Sequence, residues 1–460
     1  MTVSWLTAAG RQLRRPARPG LLFTAGIAGC LIALGVWLAY LIGHPTGLGI
    51  PLDLRIYRFG GQITGHVAPW YDPRRGSPLY DWPGYHGLKF TYSPFAAVIF
   101  TVLTVPTAIE LLAGSIAVSV LALAAAVWFT LGGLGYRPGV ARAGLTLLTA
   151  AAALALEPVQ RILSLGQIDL VLVALIIWDM CQPDRRWWQG MGVGVAAGIK
   201  LVPLIFVPYL LLTRRFRQAA VASATFAATV LTGFIVLPAD SDRYWLGGLF
   251  ADGSRAGFAG FGGNQSLRGV ITRLAGSVAG GQPAWLAAAA VTLVTGLICA
   301  AVIDRAGHHL LGVLGCALTG LLVSPVSWDH HWVWAVPAVV ALFSYGARAS
   351  GASRWAWFGI VIVILGLFGA WPVSWWGEPP SRASYHFGLI WAPPEPSSVR
   401  SRLGDQPWFP VYHWHGLDLL IGNLYVLTGV ALLGLLVAAA IRRAAAATEA
   451  ARAARRAGPG

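Results

Sequence analysis

The chain has 460 residues, of which 56% are hydrophobic and 11% charged, where a soluble domain carries about 25% charged residues. With a mean hydropathy of +0.65, this excludes a water-soluble enzyme, a nucleic-acid binder and a disordered chain, and predicts an all-α membrane protein of many spans. The net charge of +15 comes mostly from arginines lying between apolar runs, so it reads as a topology signal.

Arg11, Arg14, Arg15 and Arg18 precede the apolar run Leu21–Gly43, which is long enough to span and is followed by no small-residue cleavage site. It is expected as a first transmembrane helix rather than a removable leader. Further basic clusters are Arg137/Arg142, Arg185/Arg186, Arg214/Arg215/Arg217, Arg305, Arg348/Arg354 and the tail from Arg442 to Arg456. If all are cytoplasmic, the crossings between successive clusters are even in number. Leu21–Gly43 then goes out and Thr107–Leu131 returns, with Pro94–Val105 left as a re-entrant or interfacial helix. Leu145–Met180 is a hairpin turning at Glu157–Gln167. Met191–Thr213 is a second, very short one, whose arms rise only about 18 Å, so its turn at Lys200–Pro203 lies inside the membrane. One broken helix at Lys200 is the alternative. Val221–Leu237 goes out, Ala284–Val302 returns, and Leu310–Val323 and His331–Phe343 form the next pair. Trp355–Ala370 and Leu419–Ile441 form the last. The expected architecture is a bundle of about 12 transmembrane helices spanning 21–441, with a cytoplasmic tail at 1–20 and a basic one at 442–460. Its outer loops are 44–92, 239–283 and 375–415, and no internal repeat is visible.

The polar segments inside the apolar regions fall on the outer side. Asp53, Ile56, Tyr57 and Gly60 share one face of a short helix; Asp53 either caps it, which spacing alone favours, or acts as a general base beside a lipid headgroup. Lys89 is either a phosphate ligand or an interfacial lysine beside Tyr92 of the aromatic belt. Glu157 and Arg161 can pair at i, i+4, which leaves Gln167 and Asp169 unexplained. Lys200 is a lysine at membrane depth, the mark of a substrate pathway or of a buried partner for Glu157 or Asp169. Gly262–Gly269 holds Asn264 and Gln265, placed either for sugar hydroxyls or in a capped turn. Asn264-Gln265-Ser266 also matches a glycosylation sequon. Ser324–Trp334 is the densest cluster, with His330, His331 and Trp328. Adjacent histidines point about 100° apart on a helix, so no metal site is expected. The four cysteines have no ligand spacing.

The order of DLxxY at Asp53–Tyr57, Leu79-Tyr80, FTYSP at Phe90–Pro94, LGQIDLVL at Leu165–Leu172, GIKLVP at Gly198–Pro203, RRFR at Arg214–Arg217, GNQSLRG at Gly263–Gly269 and SPVSWDHHWVW at Ser324–Trp334 resembles the GT-C membrane glycosyltransferases of family 87. Within that family the likeness runs toward actinobacterial polyprenol-phosphate-mannose-dependent α-1,2-mannosyltransferases of phosphatidylinositol mannoside synthesis. The resemblance implies a GT-C bundle in the plasma membrane with its site on the periplasmic side. It also implies an inverting reaction with a polyprenyl-phosphate mannose donor and a phosphatidylinositol mannoside or related glycolipid acceptor. The family's acid falls on Asp53, which makes it the catalytic base for the acceptor mannose 2-hydroxyl. Lys89, Lys200, His330 and His331 are then expected around the donor phosphate, and Tyr57, Tyr92, Glu157, Gln167, Asn264, Gln265 and Trp328 around the substrates, with no cofactor. The middle of the histidine motif departs from many relatives, with Asp329 preceding His330-His331. A polyprenyl-phosphate-arabinose donor and a non-enzymatic lipid-sugar transporter are the alternatives.

Overall fold

The computed structural model describes residues 19–43, 49–65, 78–82, 84, 88–182, 186–371, 388–393 and 414–456. The expected N-terminal tail, much of the loop 44–92 and most of the loop 375–415 lie outside them. Among the described residues there is no strand, only two isolated bridges, Leu156 to Gly369 and Asn264 to Trp328.

The helices in chain order are α1 (Pro19–Gly43), α2 (Leu52–Thr64), α3 (Pro78–Asp81), α4 (Pro94–Phe100), α5 (Ala108–Gly133), α6 (Val140–Ala153), α7 (Glu157–Leu165), α8 (Asp169–Met180), α9 (Met191–Ile199), α10 (Phe206–Leu212), α11 (Phe216–Val236), α12 (Pro238–Ser241), α13 (Leu267–Ala275), α14 (Val278–Arg305), α15 (His309–Val323), α16 (Ala335–Arg348), α17 (Ala352–Phe368), α18 (Leu417–Ile421) and α19 (Leu424–Arg456). Five of them, α1, α5, α11, α14 and α19, contain at least 18 residues apolar enough to cross a bilayer, and six do if α7 and α8, bent by 119°, count as one. The remaining apolar helices are shorter. Leu31, Ile32 and Val36 of α1, Ile235 of α11 and Val291 of α14 are each more than 60% exposed. Such apolar stripes are at home against acyl chains, where the backbone is satisfied within each helix.

Local signals set the boundaries. Ser93 caps α4, accepting from the Ala96 amide, and Pro94 starts it. Thr107 and Glu110 form a capping box that opens α5. Gly166, at φ +71°, ends α7 in the left-handed region, where a Cβ would meet the side chains of Leu54 and Pro51. Only glycine lets the α7–α8 corner approach the start of α2 this closely.

Side-chain bonds gather the basic helix ends at one end of the bundle. Arg348 at the end of α16 donates to Leu134 O after α5 at 2.5 Å, and Arg142 of α6 donates to Trp128 O. Arg443 reaches His308 at 2.9 Å, and His308 reaches Tyr345 at 3.2 Å. Arg215 at the start of α11 pairs with Asp304 of α14 at 2.7 Å, and His309 joins Asp304 to Met180 O of α8. The start of α9 lies at this end too, because Asp179 accepts from the Gly190 and Val193 amides. So does the end of α10, where Tyr209 donates to Asp304 and Leu212 O accepts from Arg305. The segment Met191–Leu212 therefore enters and leaves at the same end, as a hairpin. Its tip is Lys200, in extended backbone at φ −141°, followed by the 3-10 turn Val202–Ile205.

Candidate active site

At the opposite end α2 lies beside the α7–α8 corner. Asp53 is the second residue of α2 and does not cap it: Pro51 holds the cap position without a side-chain bond. On the inner face, the Tyr57 ring stacks on Phe100 at 4.4 Å. Its hydroxyl donates to Gln167 Oε1 at 2.5 Å and meets the Tyr92 hydroxyl at 2.8 Å. Gly60 admits the Phe90 ring where a Cβ would collide with it. The Gln167 side chain also bonds Asp53, so an aromatic and amide frame holds the half-buried carboxyl at the cavity wall. Burial pushes that carboxyl up from the ordinary range. The nearby His330, the Gln167 bond, Lys200 and Arg161 draw it part of the way back.

Lys200 Nζ projects from the hairpin tip to Asp169 Oδ1 at 2.8 Å and His331 Nε2 at 2.9 Å, and lies 5.9 Å from the Tyr92 ring centre. One nitrogen each from His330 and His331 and a carboxylate oxygen of Asp169 fall within 4.8 Å of one another. The Lys200 nitrogen already sits against two of these three side chains. His330 Nε2 is 3.8 Å from Asp169 Oδ2, and both atoms are buried without a hydrogen-bond partner among the described residues.

These groups face a cavity of about 920 Å³, the size of a site for a large organic ligand. Of the residues expected in the site, Asp53, Lys89, Tyr92, Gln167, Lys200, Trp328, His330 and His331 line it. Tyr57, Glu157, Asn264 and Gln265 do not. Tyr57 stands behind Gln167. Glu157 is fully buried, accepting from Tyr425 at 2.7 Å and Trp391 at 3.2 Å. Its expected pair with Arg161 is long, at 3.9 Å, because Arg161 turns instead to Asp329 Oδ2 at 2.9 Å. Asp329 Oδ1 in turn accepts from the His330 amide and faces His330 Nδ1 at 3.1 Å. The chain Glu157–Arg161–Asp329–His330 thus orients a cavity-lining ring, with only Glu157 standing outside the cavity wall.

Asn264, Gln265 and Ser266 are fully buried, so the sequon is closed to glycosylation in the folded chain. The Asn264 side chain donates to Ala259 O at 2.9 Å and accepts from the Ser327 amide at 3.0 Å. Gln265 donates to Gly262 O and Gly422 O, each at 2.7 Å, and Ser266 caps α13. This loop braces the turn Asp329–Trp334 rather than reaching the cavity. Leu79-Tyr80 is likewise internal, with Tyr80 donating to Tyr92 O at 2.8 Å.

The cavity wall also contains Arg161, Asp252 and Arg255, which the sequence analysis did not place there. Arg255 sits in the 3-10 turn Gly253–Ala256 and donates to Tyr80 O and Phe90 O at 3.3 Å. Arg255 shares the outer loop 239–283 with Arg243, Arg268 and Arg273; arginines there run against the positive-inside bias, and that was the available signal. The arrangement suits proton removal at Asp53 while Lys89, Lys200, Arg161 and Arg255 supply positive charge for an anionic group in the same space.

The profile of glycosyltransferase family 87 matches residues 90–325. Over 437 residues the chain is 34% identical to a Mycobacterium tuberculosis protein (strain CDC 1551 / Oshkosh) named polyprenol-phosphate-mannose-dependent alpha-(1-2)-phosphatidylinositol pentamannoside mannosyltransferase, covering 94% of this chain and 92% of that one. It is 35% identical over 332 residues to the phosphatidylinositol mannoside mannosyltransferase of strain H37Rv, covering 69% and 75%. It is 31% identical over 406 residues to the pentamannoside enzyme of Mycolicibacterium smegmatis, covering 87% and 89%. No solved structure matches. The family match spans the motifs from FTYSP to the start of SPVSWDHHWVW, and the likeness to the Mycobacterium tuberculosis pentamannoside enzyme runs nearly end to end: the chain is a polytopic membrane protein belonging to glycosyltransferase family 87.

Proposed function

We infer that the chain transfers mannose from polyprenyl-phosphate mannose to the 2-hydroxyl of a mannose on a phosphatidylinositol mannoside, with inversion at the anomeric carbon. The observation that carries this reading is Asp53, held at the wall of a 920 Å³ cavity that is also lined by Lys89, Lys200 and His330. Asp53 accepts the acceptor hydroxyl proton as the oxygen attacks the donor anomeric carbon. The bond to the lipid phosphate breaks, and that leaving group needs positive charge rather than a proton. Lys200, Lys89, Arg161 and Arg255 are cations lining the same cavity, and Asp329 holds the His330 ring beside them. Asp169, His331 and Tyr92 hold the Lys200 ammonium at the end of its hairpin.

In the same reading the twelve segments cross as ten spans plus the α9–α10 hairpin, which dips in from the cytoplasmic side, and the cavity opens on the periplasmic side of the plasma membrane. The clustering of the basic helix ends, described above, supports that orientation. The names of the relatives support mannose over arabinose. The test supplies purified protein with each polyprenyl-phosphate sugar and a mannosylated phosphatidylinositol, and determines the linkage formed. An α-1,2-mannosyl product supports the assignment; arabinose transfer alone, or no transfer from either donor, contradicts it.

A further inference from the structure

A second cavity, of about 400 Å³, lies in the other half of the bundle between α15, α16, α17 and α19. Its walls are Leu, Ile, Ala, Gly and aromatic residues, and among the described residues Arg442 and Arg443, at one end, are the only charged ones lining it. At the other end lie Trp332, Leu321 and Phe368. Along α19 the lining runs from Leu432 to Arg443, a rise of about 17 Å. That is close to half of the roughly 30 Å hydrocarbon core of a bilayer, so the groove is one leaflet deep.

Its charged end coincides with the end where the basic helix termini meet. Arg443 contacts His308 there, and His308 contacts Tyr345. Of the acids described at this end, Asp304 is engaged by Arg215 and His309 and Asp179 by the Gly190 and Val193 amides. Trp355, beside Arg354 at the start of α17, is 72% exposed, the position of an interfacial tryptophan. An apolar slot of leaflet depth, closed at mid-membrane by aromatic rings and opened at the interface by two guanidinium groups, is complementary to a single amphiphile with an anionic head.

We propose that this groove is a binding site for an anionic phospholipid of the leaflet at the basic end, with one acyl chain between α15, α17 and α19 and its phosphate at Arg442 and Arg443. The site is distinct from the cavity at Asp53, and the proposal does not depend on the reaction. The two cavities are nevertheless joined by one element. The turn Asp329–Trp334 presents His330 and His331 to the first, while Trp332 and Trp334 form part of the wall of the second. A chain packed against those indoles supports the turn from behind, where Trp332 Nε1 also donates to Gln265 O at 3.2 Å.

The test uses the full chain in detergent, exchanged against equal amounts of phosphatidylglycerol and phosphatidylcholine with identical acyl chains. Retained lipid is counted by native mass spectrometry and the melting temperature is followed. Two arginines at an anionic headgroup are expected to give about thirtyfold preferential retention of phosphatidylglycerol, with a rise in melting temperature at saturation. Arg442→Gln/Arg443→Gln, which replaces the exposed Arg442 and the half-buried Arg443 beside His308, is expected to abolish the preference, with the melting curve checking that the variant is folded. Leu318→Trp, which fills the slot, is expected to lose retention of both lipids. Equal retention of the two lipids, or a preference that survives the double arginine variant, overturns the proposal. Displacement of phosphatidylglycerol by polyprenyl phosphate at equal concentration overturns it as well, by assigning the groove to that lipid instead.

Discussion

Lys200→Met separates the structural from the chemical role of the hairpin tip. In the wild type Lys200 Nζ holds Asp169 Oδ1 at 2.8 Å, and the two side chains are only 19% and 10% exposed. Asp169 Oδ2 has no hydrogen-bond partner among the described residues, so methionine leaves that carboxylate without compensation on either oxygen. Removing one member of a buried pair costs about 3–5 kcal/mol; the residual exposure of both groups argues for the lower end. The double variant Lys200→Met/Asp169→Asn removes the stranded charge and is expected to recover most of the lost stability in a detergent melting assay. It is not expected to recover activity. A charge-assisted contact to the donor phosphate is worth about 1.5–3 kcal/mol, or about tenfold to a hundredfold in kcat/KM for the donor. If the double variant regains wild-type transfer along with stability, Lys200 only neutralises Asp169 and its assignment to the phosphate fails.

Four further outcomes are expected. With Asp53 as the proposed base and its pKa raised by burial, kcat/KM is expected to fall as pH drops through a value above the unperturbed 3.9 or so; a flat profile across that range would count against the base. For stability the sign is opposite, because the folded state binds this proton more tightly than the unfolded one. Asp53 therefore stabilises least at high pH, and Asp53→Asn is expected to melt no lower than wild type at neutral pH. Arg161→Met leaves Glu157 and Asp329 facing one another and is expected to cost about 3 kcal/mol or more, readable as a lowered denaturation midpoint. Asn264→Ala deletes two short bonds in a fully buried loop and is expected to destabilise by about 2 kcal/mol, with KM for both substrates nearly unchanged in the protein that folds.

Much of the bundle was legible because membranes impose strong rules. Taken as cytoplasmic, the basic clusters favoured a turn at Lys200 over one broken helix there, and the hydrogen bonds of Asp179, Tyr209 and Arg305 put both ends of Met191–Leu212 together. The shared face expected for Asp53 and Tyr57 on α2 is likewise seen, since both bond Gln167, a partner the spacing did not name. What spacing could not supply was which way a polar group turns once buried. Glu157 and Arg161 have ideal pairing distance along the chain, yet Asp329, 168 residues away in sequence, wins the guanidinium. Gln265 reads as a sugar ligand until the carbonyl of Gly422, brought in from the far end of the chain, takes its amide. The cap preference for Asp53 failed for a local reason: the helix already starts at Leu52, with Pro51 in the cap position two residues before Asp53. Arg255 stayed hidden because its cavity wall is assembled from segments that share no periodicity.

The central claim is that Asp53 removes the acceptor proton. The most direct measurement is mannose transfer from polyprenyl-phosphate mannose by purified Asp53→Asn beside wild type, with melting curves confirming that both are folded. The account predicts a fall of about a hundredfold to ten-thousandfold in kcat with the variant's melting temperature preserved. Wild-type transfer by a folded Asp53→Asn would contradict it.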